Sequence, residues 1–163
     1  MILSFSVDSM RSMIVAGIAQ RSGFPVEGRR VKRQTIRKRG PRAEMLFKAR
    51  NIDGSIPYDL HLWWKSRTPA RENLGTVSYP KVFPINILHS TVEPPDGPSY
   101  PVCRIDGPRG WRDGDAMLFW SPGDEPNGFC SEAYADGFDS PEAFRDYFVP
   151  NIGDRFDAIL YRW

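Results

Sequence analysis

Cysteine and histidine are scarce in this sequence. Among its 163 residues it has two of each, and neither Cys103 with Cys130 nor His61 with His89 stands at the spacing of a metal motif. The sequence therefore predicts no zinc site of the Cys/His type and no disulfide framework. We also expect no other metal and no cofactor.

A long uninterrupted apolar run is absent as well. The segment from Met1 to Arg21 is mildly apolar, but Asp8 and Arg11 interrupt it. These charges argue against both a signal peptide and a membrane span. We expect no membrane partner and a reduced, cytoplasmic location.

Acidic residues are absent from the segment Arg29–Arg42, although the net charge of the whole chain is only +2. The segment carries eight basic residues, namely Arg29, Arg30, Lys32, Arg33, Arg37, Lys38, Arg39 and Arg42. Acids dominate later, from Asp113 to Asp157. This uneven charge indicates an anionic partner at one place and allows weak, salt-dependent RNA binding through Arg29–Arg42.

The residue patterns predict one α+β domain, since a chain of this length is typical of a single domain. Apolar residues at helical spacing predict a first helix at 8–23, and a Pro at the first turn favours a second helix at 140–148. Short strands with helices near both ends are typical of a small β-barrel with peripheral helices. Alternating or β-branched residues predict strands at 33–37, 57–64, 81–90, 100–106, 115–121 and 156–163.

The stretch VKRQTIRKRG, residues 31–40, contains a candidate reactive pair. The hydroxyl of Thr35 is a weak nucleophile that needs a neighbouring base, and Lys32 can serve if nearby cations or burial lower its pKa. Strict strand alternation places the two side chains on opposite faces, so Lys32 reaches Thr35 only if the chain turns between them. A basic cluster is also typical of a phosphate contact or a solvated face.

Several segments resemble the ASCH (ASC-1 homology) domain family. They are KRQTIR, then DLHLWWKSRTP, and later AYADGFDSPEAFRDYF and FDAILYRW. In the family's compact bacterial and phage forms a first helix leads through a glycine-containing loop to a K-x-x-T-I-R segment, and a late acidic-Gly-Phe element opens a helix. The matching residues are Gly28, Lys32, Thr35, Ile36, Arg37, Asp136, Gly137, Phe138 and Trp163. The similarity is weak at about 76–130, which we interpret as a family-variable insertion in a single domain, 1–163.

The resemblance implies a PUA-like fold, a mixed β-barrel with peripheral helices. Small bacterial members include amidohydrolases that remove the acyl group from N4-acetylcytidine and related N4-acylated cytosines, using a lysine, a threonine and a late glutamate. Carried over, this catalytic set is Lys32, Thr35 and Asp136. Aspartate is one methylene shorter than the family's glutamate, so Glu132, one helical turn earlier, is the alternative carboxylate.

Four further residues are candidates for binding a small nucleoside substrate. Arg37 can clamp a ribose or phosphate, or else pair with an acid such as Glu44. Of Trp63 and Trp64, neighbours on a strand, one faces inward and the other can stack on a base. Arg67 follows that strand, and Gly28 matches the family's glycine loop. The predicted binding set is Arg37, Arg67, Trp64 and Gly28.

Two other functions are compatible with the sequence: a non-catalytic RNA-binding PUA-like module, and an adaptor within a larger nucleoprotein assembly. Geometry separates an enzyme from a binder. An enzyme needs Lys32, Thr35 and a carboxylate in one pocket. A binder needs the cations of Arg29–Arg42 spread along an exposed groove.

Overall fold

The computed structural model describes residues 2–108, 117–122, 128–152 and 155–163. In these ranges the chain forms eight strands and four helices. Their order is β1 (Ile2–Phe5), α1 (Asp8–Arg21), β2 (Gln34–Lys38), α2 (Pro41–Ala49), β3 (Leu60–Trp64), β4 (Glu72–Val77), β5 (Lys81–Val92), β6 (Tyr100–Asp106), β7 (Met117–Trp120), α3 (Gly128–Ala135), α4 (Pro141–Ile152) and β8 (Arg155–Arg162).

The strands form two sheets. An antiparallel sheet of five strands has the order β2-β8-β5-β6-β7, and a sheet of three strands has the order β1-β3-β4, with β1 parallel to β3. The mixed α+β class is therefore confirmed. The pairing among the described strands does not close a ring, and the PUA-like barrel stays a prediction.

The five-stranded sheet carries a hydrophobic core on each face, because successive side chains of a strand point to opposite sides. On β8, Phe156 and Leu160 join a cluster that includes residues of α3 and α4. Ile159 and Tyr161 of the same strand join a second cluster that includes residues of α1, α2, β1 and β3. β2 lies at one edge of this sheet, next to β8.

Most predicted elements have a counterpart in the structure. The first helix ends two residues earlier than predicted, and the strands at 33–37, 57–64, 81–90, 100–106 and 156–163 overlap β2, β3, β5, β6 and β8. Of the strand predicted at 115–121, residues 115 and 116 lie outside the described residues, and β7 covers the rest in part. α4 begins as predicted, with Ser140 Oγ accepting the Ala143 N–H at 3.1 Å.

Four elements were not predicted, namely β1, α2, β4 and α3. β4 contains Asn73 and Gly75, which are poor strand formers, and Gly75 adopts a φ of 147°. The region 76–130 contributes β5 and β6, which lie within the five-stranded sheet. Its status as a family-variable insertion stays a prediction.

Cys103 and Cys130 are buried, and they do not form a disulfide bond. Burial raises the pKa of the Cys103 thiol to about 12. Across the described ranges, no helix is both long and apolar enough to cross a lipid bilayer.

Candidate active site

Lys32 is buried where the chain crosses α1 on its way into β2. Its N–H donates to the Met13 carbonyl at 2.9 Å, and the residue is only 1% exposed. A Cβ at position 17 would lie 2.0 Å from the Lys32 carbonyl oxygen. Glycine at that helical position therefore allows the backbone of Lys32 to approach the helix this closely.

The partner of Lys32 comes from 104 residues further along the chain. Asp136 directly follows α3, and Lys32 Nζ donates to Asp136 Oδ1 at 2.5 Å and to the Asp136 carbonyl. Gly137, with a φ of 91°, forms the turn over the lysine, where a Cβ would lie 3.4 Å from Lys32 Cδ. Phe138 then packs edge-on against Phe144, with ring centroids 5.2 Å apart.

Lys32, Asp136 and Thr35 line one pocket of about 290 Å³. Because β2 begins only at Gln34, Lys32 lies before the strand and is not bound by its alternation. The strict alternation that would place Lys32 and Thr35 on opposite faces therefore does not apply to Lys32, and the two residues line the same pocket. Aromatic side chains form much of the remaining wall, contributed by Phe5, Phe138, Tyr147 and Phe148.

The lysine is bonded to the carboxylate and not to the threonine. Within the described part of the chain no hydrogen bond of the Thr35 hydroxyl is found, although the residue is buried beside the pocket. The site thus consists of a tightly bonded Lys32–Asp136 pair with an unbonded hydroxyl on the same wall. Contacts of this kind often tighten only when substrate is bound.

Burial acts on both members of the pair. It lowers the pKa of Lys32 although Asp136 opposes the shift, and the nearby Arg37 lowers it further. It raises the pKa of Asp136, against the opposing effects of Lys32 and Arg37. Both shifts favour neutral side chains, because burial penalises charge. The ion pair and the neutral pair differ only in the position of one proton along the hydrogen bond.

Arg37 is the one predicted binding residue that lines this pocket. Its Nη2 donates to the Ser4 carbonyl at 3.0 Å, and its guanidinium lies 5.1 Å from the centroid of the Phe5 ring. Glu44, its alternative partner in the sequence analysis, forms an ion pair with Arg39 instead. Arg37 therefore keeps a cationic group at the pocket wall.

The other three predicted binding residues are not brought to the pocket. Trp64 is the inward-facing tryptophan and belongs to a hydrophobic core, with Lys65 Nζ 5.2 Å from its ring centroid. Arg67 is exposed beyond the end of β3. Gly28 forms an exposed turn with a φ of 67° and no atom within 4 Å of a Cβ built on it.

Glu132, the alternative carboxylate, lies on the other side of β2. It is buried and accepts hydrogen bonds from Gln34 Nε2 at 2.8 Å and from Arg162 Nη2 at 3.0 Å. Together with Arg33, these residues line a different cavity, of about 310 Å³. Asp136 is therefore the carboxylate that shares a pocket with Thr35.

Three aromatic residues of the pocket were not predicted from the sequence, namely Phe5, Tyr147 and Phe148. Phe5 lies on β1, a short strand that was not predicted. Tyr147 lies on α4, one turn after Phe144 and next to Phe148, and all three form a cluster with Phe138. The aromatic spacing along this helix was the available signal for Tyr147.

Not all eight cations of the basic segment Arg29–Arg42 are available to a partner. Lys32 is buried, Arg30 pairs with Asp139, and Arg39 pairs with Glu44. The exposed cations are Arg29, Arg30, Arg33, Lys38, Arg39 and Arg42, and of these Arg30 and Arg39 are the two paired with acids. Burial and pairing thus reduce the positive charge that this segment offers to a partner.

No protein-family model, no curated protein and no solved structure matches this chain. The resemblance noted from the sequence stays a prediction. A functional assignment rests on the chemistry of the pocket.

Proposed function

We propose that this protein is an amidohydrolase, a PUA-like ASCH domain that removes the acyl group from N4-acylated cytosine nucleosides such as N4-acetylcytidine. One observation carries the proposal. Lys32, Thr35 and Asp136 line the same pocket, although 104 residues separate the lysine from the aspartate. A nucleophile, a base and an acid are the groups that amide hydrolysis requires.

The buried pair can supply both the base and the acid. In its neutral form Lys32 is an amine that accepts a proton, and Asp136 is a carboxylic acid that donates one. This form arises from the ion pair by transfer of one proton across the 2.5 Å Nζ–Oδ1 hydrogen bond, without exchange with solvent. Burial favours it, since the pKa of Lys32 is lowered and that of Asp136 is raised.

The first half-reaction transfers the acyl group to Thr35. The hydroxyl proton moves to Lys32 Nζ, and Thr35 Oγ1 bonds to the acyl carbon as the carbonyl electrons move onto oxygen. Arg37 at the pocket wall is placed to stabilise that oxyanion. The C–N4 bond then breaks, Asp136 protonates N4, and the cytosine amine leaves an acyl ester on Thr35.

The second half-reaction restores the enzyme. Water attacks the ester carbonyl and gives a proton to the Asp136 carboxylate. The ester bond to Thr35 then breaks, and the departing oxygen takes its proton from the Lys32 ammonium. The free carboxylic acid leaves, and both members of the pair are neutral again.

The pocket walls suit a flat heteroaromatic substrate. Phe5, Phe138 and Tyr147 offer aromatic surfaces, and the volume of about 290 Å³ is near the lower end for small-molecule sites. Bases stack on aromatic side chains with little dependence on sequence. A cytosine ring can thus be held with its N4 acyl group toward Lys32, Thr35 and Asp136.

The direct test is incubation with N4-acetylcytidine followed by chromatography for cytidine. Intact-protein mass spectrometry of a rapidly quenched reaction should detect an acyl group on Thr35. Thr35→Ala should lose both signals, whereas Thr91→Ala, an exposed threonine at the end of β5, should keep both. If Thr35→Ala turned over near the wild-type rate, the result would favour a different mechanism, in which Asp136 activates water and Lys32 acts as the electrophile.

A second candidate function is a non-catalytic RNA-binding module. The exposed cations Arg29, Arg33, Lys38 and Arg42 support it. With the net charge of the chain at +2, such binding should be weak and fall steeply with salt. Tight binding of single-stranded RNA at high salt, with no cytidine released, would favour this module over the hydrolase.

A further inference from the structure

A polar network lies on the face of β2 opposite the pocket. Arg162 Nη2 donates to both carboxylate oxygens of Glu132, at 3.0 and 3.1 Å, and Arg162 Nε donates to Gln34 Oε1 at 3.2 Å. Gln34 Nε2 in turn donates to Glu132 Oε2 at 2.8 Å. These three side chains tie β2 and β8 to α3.

The network is bonded directly to the backbone that carries Asp136. The Glu132 carbonyl accepts the Asp136 N–H at 3.0 Å and also accepts Gln34 Nε2 at 3.1 Å. The Arg33 N–H donates to the Ala135 carbonyl at 3.1 Å. The end of α3 is therefore held against the start of β2 at two consecutive residues, Arg33 just before the strand and Gln34, its first residue.

This attachment relates the acid to the nucleophile. Gln34 and Thr35 are neighbours on β2, and their side chains point to opposite faces. Glu132 and Asp136 are one helical turn apart. The bond between Gln34 and Glu132 therefore sets the distance between Thr35 and Asp136, which both line the pocket.

We propose that Gln34, Glu132 and Arg162 are positioning residues, which hold Asp136 at the place where it can exchange a proton with Lys32 and with a substrate bound next to Thr35. None of the three lines the pocket, so they act through the backbone at the end of α3. The inference rests on the proposed hydrolase function.

The kinetic test uses Gln34→Ala and Glu132→Gln. Gln34→Ala removes both bonds to Glu132, and we expect kcat to fall by about tenfold to a hundredfold, as for an active group misplaced by about an ångström. KM should change much less, because the binding walls are intact. Glu132→Gln keeps an acceptor for Gln34 and Arg162 and should retain most of the turnover.

A matched control separates positioning from stability. Ser55 is also buried and polar, and its hydroxyl donates to Asp53 at 2.7 Å, away from the pocket. Ser55→Ala should lower the denaturation midpoint and leave kcat unchanged. A kcat that falls equally in Ser55→Ala and Gln34→Ala would overturn the positioning role.

A second measurement does not depend on turnover. The titration of Lys32 Nζ, followed by NMR in isotopically labelled protein, reports whether Asp136 still faces it; Arg37 is the other charged group that acts on this pair. We expect the pKa of Lys32 to change in Gln34→Ala and to stay constant in Ser55→Ala. A Lys32 pKa that is the same in all three proteins would overturn the inference. If the wild type released no cytidine, the proposed function would fail, while this titration would still decide the positioning role.

Discussion

The two cavities beside β2 each contain a buried carboxylate from the end of α3, but the carboxylates have different cationic partners. Glu132 is held by Arg162, with Gln34 as a further donor. Among the side chains that the structure describes, Lys32 is the one bonded to Asp136. An arginine stays charged under all ordinary conditions, whereas a buried lysine can lose its proton.

In the proposed mechanism, this difference selects Asp136 as the carboxylate that takes part in proton transfer. The Glu132 carboxylate is bonded to the Arg162 guanidinium and to Gln34, and it connects α3 to β2 and β8. A carboxylate bonded to a lysine shares a proton that can move in either direction. Two acids one helical turn apart are thus suited to different roles by the residue that faces each of them.

We expect the largest effect from removing Lys32 or Thr35, the proposed base and nucleophile. Lys32→Ala and Thr35→Ala should each lower kcat/KM by about four orders of magnitude, because base and nucleophile act as a unit. The double variant should be no worse than either single variant. Steady-state release of cytidine measures this, and circular dichroism should show that the variants remain folded. If the losses of kcat/KM in the two single variants multiplied in the double variant, Lys32 and Thr35 would not act as a unit.

Exchanging the acids tests the comparison directly. Asp136→Asn keeps the shape of the side chain and removes the proton, so kcat should fall by about two to four orders of magnitude. Glu132→Gln should keep most of the rate. Asp136→Glu should retain part of the activity, because it keeps the carboxyl group. A normal rate in Asp136→Asn would remove Asp136 from the mechanism.

The pH dependence of stability should expose the buried acid. In Lys32→Met, Asp136 keeps a raised pKa through burial, so the folded state holds a proton that the unfolded state releases above about pH 4. Stability must then fall as pH rises, by up to about 1.4 kcal/mol per pH unit between about pH 4 and the raised pKa of Asp136. Urea denaturation of variant and wild type between about pH 4 and pH 8 measures the slope. A slope equal to that of the wild type would show that Asp136 is not buried.

The smallest effects should come from predicted binding residues outside the pocket. Arg67→Ala should leave KM and kcat unchanged, since Arg67 is exposed and does not line the pocket. Arg37→Ala, its matched partner inside the pocket, should raise KM or lower kcat. Michaelis–Menten analysis of both variants measures these changes in KM and kcat. Equal effects would contradict the placement of Arg37 inside the pocket and Arg67 outside it.

Local patterns predicted elements such as α1 and β8, and placed Lys32 and Thr35 three residues apart at a strand entrance. They failed for β1 and β4. β1 has only four residues, and Gly75 interrupts β4. β4 is stabilised by its pairing with β3 and by the Ile18 side chain near Gly75. These contacts come from other parts of the chain.

The sequence by itself determined the residue types that can react and the absence of Cys/His metal spacing. Only the tertiary structure decided which acid faces the threonine, which tryptophan is core, and which arginine reaches the pocket. The physical reason is that Glu132 and Asp136 have equivalent chemistry and differ by one helical turn. Their environments depend on the packing of α3 against the edge of a sheet formed about 100 residues earlier and completed by β8.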